Sequence, residues 1–312
     1  DISFPLLFID GITRSGKGSL SKIVPSLSNM EHIQFSTPLE MIIPGLSLGH
    51  LSQDFAKSYL RIYFNEMTYN LQISRNVNFR EQDQTGIYNY KTPQVYKDRL
   101  LLDEGKDIIN ICRKKHSYIP IQSHDLLVNL PYLNDLKLNY RMISLWRNPI
   151  DNIYSWVTRG LGERFKNMDP SVFTLLINNN NGDLFPWYCA KYVNDLKPVN
   201  DAEFCVHVAL DLINRSIENI HTHRSNKEIK IIFFEDLFVN PKSVIQKICK
   251  FLQVSPSVAT ESAIYEANFP RKIGDTELLA KKLFFKKSIN ASTYDSLIEL
   301  EKRYLNSRYD LI

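Results

Sequence analysis

Five short apolar runs stand out along the chain, at residues 6–9, 32–35, 118–121, 141–146 and 229–234. Apolar runs of this length suit strands buried on both faces, as in a parallel sheet. The stretches between them carry helical spacing, so strands alternate with helices and the expected class is α/β. A central parallel sheet of about five strands flanked by helices follows from that order. Two helix starts are legible: Asn148-Pro149 and Asn240-Pro241 each place a capping Asn before a Pro in the first helical position. After the second, Val244, Ile245, Ile248, Phe251 and Leu252 recur at three- and four-residue steps and make one apolar helix face.

The remaining pattern sets the organisation. Residues 36–115 show helical patches and no clear strand, which predicts a mostly helical insertion shaping an acceptor cleft. Residues 158–198 are less regular, and the Asn run at 178–181 predicts an exposed loop. Residues 275–312 predict a C-terminal helical segment. No repeat or linker interrupts the chain, so residues 1–312 are expected to form a single domain.

Composition narrows the classes. The apolar content of 44% is that of an ordinary globular chain, and the formal charge of +4 suits an anionic ligand without the clustered basic face of a nucleic-acid binder. No nucleic-acid partner is expected. No run approaches the ~18 apolar residues of a membrane span. Cys112, Cys189, Cys205 and Cys249 form no C-x-x-C pair, which favours free thiols in a reducing compartment over a disulfide or metal framework. A cytoplasmic location is the expectation. The chain opens on Asp1 rather than Met, so a preceding anchor or signal stays open.

Candidate chemistry begins at "FIDGITRSGKGSLSK", residues 8–22. A strand, a Gly-bounded turn and a helix start expose several backbone N–H groups that favour an anion. Gly11, Thr13, Arg14, Ser15, Gly16, Lys17, Gly18 and Ser19 are the candidate binding residues. The stretch nearly spells the triphosphate loop G-x-x-x-x-G-K-[ST], but Gly18 stands where the magnesium-binding hydroxyl belongs. In "ISLWRNPIDNIYSW", Arg147 follows a strand at its carboxyl end and Ser155 lies on the next helix, so both can grip one phosphate. A surface ion pair for Arg147 and a packing role for Ser155 are the alternative. In "YIPIQSHDLLVNLPYL", His124 falls just past a strand end, either as a general base or as a structural histidine. "IKIIFFEDLFVNPKSVIQKICKFLQV" reads mostly as scaffold, with Glu235 and Asp236 as cap or ion-pair groups.

These four pieces, in this order, resemble the sulfotransferase family, whose sulfo donor is 3′-phosphoadenosine 5′-phosphosulfate (PAPS). "GITRSGKGSL" is similar to the family's 5′-phosphosulfate loop. "RNPIDNIYS" is similar to its 3′-phosphate motif, with Arg147, Asn148, Pro149, Asp151 and Ser155 matching. "QSHDLLVNLP" resembles the segment that carries the catalytic histidine of the cytosolic branch, and "FFEDLFVNPKSVIQKICKFLQV" the family's Tyr-Glu-Asp-Leu stretch. The resemblance runs from about residue 5 to 254 and implies a fold like that of the P-loop-containing nucleotide hydrolases. Departures are Lys17 and Gly18 in place of a small hydroxyl pair, and Gln122 in place of a basic residue. "RKIG", at 271–274, makes Arg271 and Lys272 faint candidates for a later donor contact, with a basic surface loop as the alternative.

The resemblance implies in-line, metal-free transfer of a sulfo group from PAPS to an acceptor hydroxyl, less readily an amine, with adenosine 3′,5′-bisphosphate (PAP) as product. Arg14, Lys17 and loop amides would stabilise the spread negative charge, His124 would take the acceptor proton, and Arg147 with Ser155 would hold the 3′ phosphate. Should His124 fail as base, Glu81 or Asp83 are the next candidates and Glu66 a weaker one. A P-loop small-molecule kinase would explain Lys17 but not Gly18, Arg147, Ser155 or His124. A degenerate member that binds nucleotide without turnover is the non-enzyme alternative. Tyr59, Tyr63, Phe64, Trp187 and Tyr188 are either core or cleft aromatics, and the acceptor stays open among a carbohydrate, a small alcohol, a lipid and a peptidyl Tyr.

Overall fold

Strand β1 (Leu6–Asp10) is buried along its whole length and sits in the middle of the molecule. Its side chains alternate between two apolar layers, as strand geometry requires: Leu6 and Phe8 join one cluster, Leu7 and Ile9 the other. That two-sided burial is why the run carries no polar residue before Asp10. The computed structural model describes residues 4–166, 173–178, 182, 184–189, 199–223, 226–271 and 275–311.

Helix α1 (Lys17–Ile23) follows the first loop, then β2 (Gln34–Phe35). The segment expected to be helical holds α2 (Thr37–Ser47), α3 (Gln53–Gln72), α4 (Gln94–Arg99) and α5 (Lys106–Lys114). Next come β3 (Ile119–Gln122), α6 (Leu130–Asp135), β4 (Tyr140–Trp146), α7 (Pro149–Val157) and α8 (Leu161–Lys166). A short antiparallel pair, β5 (Leu176–Asn178) and β6 (Leu184–Pro186), precedes the long α9 (Asp201–Thr222). The chain continues through β7 (Ile229–Phe233), α10 (Phe234–Val239), α11 (Pro241–Leu252) and α12 (Thr260–Glu266), and ends in α13 (Asp275–Ser288) and α14 (Ala291–Leu311).

The main sheet has the order β2-β3-β1-β4-β7, and every neighbouring pair in it is parallel. This is the expected α/β, P-loop-like architecture, with helices on both faces. All five predicted strands are present with shifted ends. The run at 32–35 contributes only Gln34–Phe35 to the sheet, because His32 and Ile33 precede its pairing with Ile121 and Gln122. The β5–β6 pair falls in the segment read as irregular, where Asn178 ends a strand; residues 179–181 of the Asn run lie outside the described residues.

Both predicted caps form. Asn148 accepts from the Ile150 amide and Asn240 from the Ser243 amide, each followed by Pro at the helix start. Val244, Ile245, Ile248 and Leu252 are buried on one face of α11, as their spacing predicts. Glu235 and Asp236 are structural: Glu235 accepts from the Asn148 amide and the Tyr304 hydroxyl, and Asp236 pairs with Arg308. The four cysteines are buried thiols rather than disulfides. Among the described residues, no helix is long and apolar enough to cross a membrane.

Candidate functional site

The carboxyl ends of β1, β3 and β4 meet at one edge of the sheet, where ligands bind in open parallel sheets. The loop after β1 is shaped by two glycines. Gly11 has φ +147° and a Cβ there would stand 2.6 Å from the Leu145 carbonyl oxygen. Gly16 has φ +99° and a Cβ there would press on the Phe234 ring. Arg14 is left-handed with φ 66°, an uncommon conformation for a non-glycine residue. Gly18 differs: nothing lies within 4 Å of where its Cβ would be, so the first turn of α1 faces open space.

Helix α7 clamps this loop. The Thr13 carbonyl accepts from Asn152 Nδ2 at 3.1 Å and Trp156 Nε1 at 2.6 Å. Arg14 Nε donates to Ser155 Oγ at 3.1 Å, and Arg147 Nη1 donates to the Arg14 carbonyl at 3.2 Å. The Arg147 guanidinium lies 4.9 Å from the Phe234 ring centre. Burial and the nearby Arg159 and Arg147 charges lower the Arg14 pKa. Arg14 thus meets Ser155 with Arg147 and Arg159 near enough for their charges to act on it, while Glu277, in the first turn of α13, is near enough to Arg147 to feel its charge. Ser15 Oγ, Arg147 Nε and Asn152 Oδ1 are buried without hydrogen-bond partners. Clustered guanidiniums and orphaned polar atoms around a loop with open space at Gly18 fit a multiply charged anionic ligand.

Asn152, Trp156 and Arg159 were not singled out from sequence. The signal was present, since Asn148, Asn152, Ser155 and Arg159 recur at three- and four-residue steps along one face of α7 and the turn after it. Asp151 points elsewhere and pairs with Lys281 at 2.7 Å. Ser19 lies in the first turns of α1, its amide bonded to the Gly16 carbonyl.

Lys17 takes an inward course. Its side chain is buried, and Nζ donates to the carbonyls of Gly11 at 2.7 Å and Ile12 at 3.0 Å. Burial depresses its pKa to about 8, against the opposing pull of Asp125, Asp10 and Glu40. The ammonium thus braces the loop from within rather than standing at its mouth.

His124 follows β3 and shares a cavity of about 290 Å³ with Thr13, Glu40, Gln122, Asp125, Trp187 and Tyr188. Its Nδ1 lies 2.8 Å from Glu40 Oε1. A carboxylate accepts only, so Nδ1 carries the proton and Nε2 is left as the basic nitrogen. Glu40 stands in the first turn of α2, where the Ser36 side chain caps the helix. Asp10 fixes this loop from below, accepting from the Leu126 amide at 3.0 Å and the Leu127 amide at 3.1 Å. Asp125 has a left-handed φ of 60° and a buried Oδ1 with no partner. Burial pushes its pKa up to about 7, helped by Asp10 and Glu40 and opposed by His124 and Lys17.

The other candidates sort clearly. Glu81, Asp83 and Glu66 are not among the residues lining the His124 cavity; Asp83 binds Asn78, and Glu81 and Glu66 are exposed. Trp187 and Tyr188 line it, Tyr63 bonds Ser36 on its rim, Phe64 is core, and Tyr59 stacks on Tyr63 outside. Arg271 donates to the Asn268 and Ala267 carbonyls and lies over Phe238 and Phe269. Lys272 lies outside the described residues.

A family model described as "Sulfotransferase domain" matches residues 7–272. No curated protein is matched in sequence. Among solved structures, a sulfotransferase domain from the curacin biosynthetic pathway gives a TM-score of 0.47 at 14% identity, covering 96% of this chain and 97% of that one. The sulfotransferase domain of the Synechococcus PCC 7002 olefin synthase gives 0.45 at 16% identity, covering 97% and 95%. A sulfotransferase from Alicyclobacillus acidocaldarius gives 0.38 at 14% identity, covering 95% and 96%. These scores are too low to support an assignment, which rests on the sequence match. That match spans the loop after β1, the His124 segment and the Arg147–Ser155 segment, and it makes the chain a member of the sulfotransferase domain family, a transferase of sulfo groups.

Proposed function

We propose that the protein transfers a sulfo group from PAPS to an acceptor hydroxyl, with His124 as general base. The observation that carries this reading is the pairing of His124 Nδ1 with Glu40 in the same cavity as Thr13 of the anion-cradling loop. Family membership supports sulfo transfer, and the Arg14, Arg147, Arg159 and Ser155 group supports a donor with more than one anionic centre. Bound there, the donor would supply the sulfo group and a phosphate leaving group.

The residues then divide the work. His124 Nε2 takes the acceptor's hydroxyl proton as its oxygen attacks sulfur, and Glu40 steadies the imidazolium that forms. Loop amides and Arg14 stabilise the charge that spreads over the sulfo oxygens as the bond to the 5′ phosphate breaks. Arg147, Ser155 and Arg159 hold the 3′ phosphate, which distinguishes PAPS from ATP. Lys17 keeps the loop carbonyls turned inward so that the amides face the donor. The expected transfer is metal-free, with side-chain cations in the place magnesium takes in nucleotidases.

A screen of acceptor classes with radiolabelled PAPS in the presence of a chelator tests this. Labelled product from one class, lost in His124→Ala and Arg14→Ala, is the expected result. Product formation that survives in His124→Ala at full rate overturns the base assignment.

A further inference from the structure

Strand β7 is an edge of the main sheet and pairs within it only with β4. The Glu228 carbonyl accepts from the Met142 amide at 2.8 Å, so the backbone of Glu228, Lys230 and Ile232 turns towards β4. By strand alternation the amides and carbonyls of Ile229 and Ile231 turn outward, and they have no partner among the described residues. A groove of about 470 Å³ lies against this free edge, walled by β7, α10 and α11. From α11 it takes the apolar Val244 and Phe251 together with Lys247 and Lys250, and from β7 it takes Lys230. Lys247 and Lys250 are exposed and Lys230 is half-buried, so all three are open to an occupant.

The charge of this groove is not balanced from within. Asp236, which lines it, is taken by Arg308, and Glu228 beside the start of β7 is taken by Arg141 at 3.0 Å. Lys230, Lys247 and Lys250 form no ion pair among the described residues, and α11 carries no acid of its own. One lysine on an edge strand discourages pairing with another copy. Two more, supplied by a neighbouring helix, do not serve that end. A second copy adding its own β7 would bring its lysines against these. A polyphosphate chain answers the lysines, but phosphate oxygens only accept and would leave the outward carbonyls unmatched. An extended peptide both donates and accepts along such an edge, and acidic side chains on it meet the lysines. The face is fixed as well. Ile232 packs in one cluster with Val244, Ile245 and Ile248 of α11, and Lys230, two residues earlier, points to that same face. Acids are therefore required at every second residue of the peptide.

We propose that the free edge of β7 docks an extended acidic segment of a partner protein as an added strand, with acidic residues at alternate positions facing Lys230, Lys247 and Lys250. β7 leads directly into Phe234, whose ring centre lies 4.9 Å from the Arg147 guanidinium, so the docking edge ends next to the cationic half of the candidate site. The docking itself does not rest on the chemistry at His124.

The probe is a short fluorescein-labelled peptide of alternating Glu and Val, titrated with the full chain and followed by anisotropy. Saturable binding is expected, together with slowed hydrogen exchange at the Ile231 amide, which reports strand addition. The double variant Lys247→Glu, Lys250→Glu, at exposed positions, should weaken binding by roughly tenfold or more, because two attractions become repulsions. It should leave PAP binding unchanged. The same peptide N-methylated at every second residue, made in both phases, separates pairing from charge: one phase should lose saturable binding and the other should keep it. A peptide of alternating Lys and Val should not bind. Absent binding of the Glu and Val peptide, or equal binding in the double variant, overturns the proposal. Equal binding of both N-methylated phases and the parent peptide, or equal binding of an oligothymidylate, also overturns it and leaves a general polyanion surface. Absent PAP binding would overturn the transferase reading and not this one.

Discussion

The two halves of the site are built on opposite electrostatic plans. The half made by the β1 loop and α7 is cationic, with Arg14, Arg147 and Arg159 repelling one another around Ser155. The half under His124 is acidic, with Glu40, Asp125 and Asp10 packed together and Lys17 as the buried counter-charge between the halves. The first arrangement suits holding an anion that brings its own negative charge. The second suits accepting a proton, because Glu40 takes the Nδ1 side of His124 and leaves Nε2 as the acceptor. The halves also differ in how they are held. The cationic half is tied by several bonds, into the Thr13 and Arg14 carbonyls and onto Ser155, whereas His124 is held by a carboxylate from another element. The base should therefore be the more easily disturbed of the two.

Substitutions on each side test this division. His124→Ala should lower kcat by roughly 10²–10⁴-fold, the span of a general base, with PAP affinity by calorimetry unchanged. Arg14→Ala should lower kcat/KM by about 10²–10³-fold, as for loss of one preorganised donor to developing charge. Arg147→Ala should act mainly on donor affinity. Glu40→Gln should cost less than the ~10²–10⁴-fold of losing the base itself, because Nε2 remains. Glu40→Asp should restore part of the rate. If Glu40→Gln leaves the rate alone, the acidic half has no part in the proton transfer.

The smallest expected effect is on stability. The folded pKa of Asp125 lies at about 7, above the ordinary carboxylate value. Between about pH 4 and 7 the folded state holds a proton that the unfolded state has released, so stability falls as pH rises through that window. Asp125→Asn should flatten this dependence in thermal melts, by no more than about 2 °C for each kcal/mol removed, since the shift shrinks with chain length. Lys17 acts in a separate window. With its folded pKa at about 8, the unfolded state holds the extra proton up to the ordinary lysine value, so stability rises with pH there.

The cationic half was legible in the chain because its geometry is local. A Gly-bounded loop between strand and helix, and an Arg-Asn-Pro start with Ser155 on the following helix, fix most of their own conformation. The order of strands and helices was legible for the same reason; strand ends shifted, most of all in β2, and the β5–β6 pair was an addition. The acidic half was not. Glu40 reaches His124 across 84 residues, and Trp187 arrives from a segment read as irregular. The inward turn of Lys17 was equally hidden, since a lysine at that place serves a ligand or the loop carbonyls according to what lies beneath it. Here Asp10, Asp125 and Glu40 draw it in.

The central claim is that the cationic half reads the donor by its 3′ phosphate and needs no metal to do so. Calorimetric binding of PAP and of ADP, each with and without magnesium, measures this directly. Chelator-resistant binding of PAP, with ADP much weaker and Arg147→Ala abolishing the preference, is the predicted result. Equal affinity for the two nucleotides, or PAP binding that requires magnesium, would contradict the account.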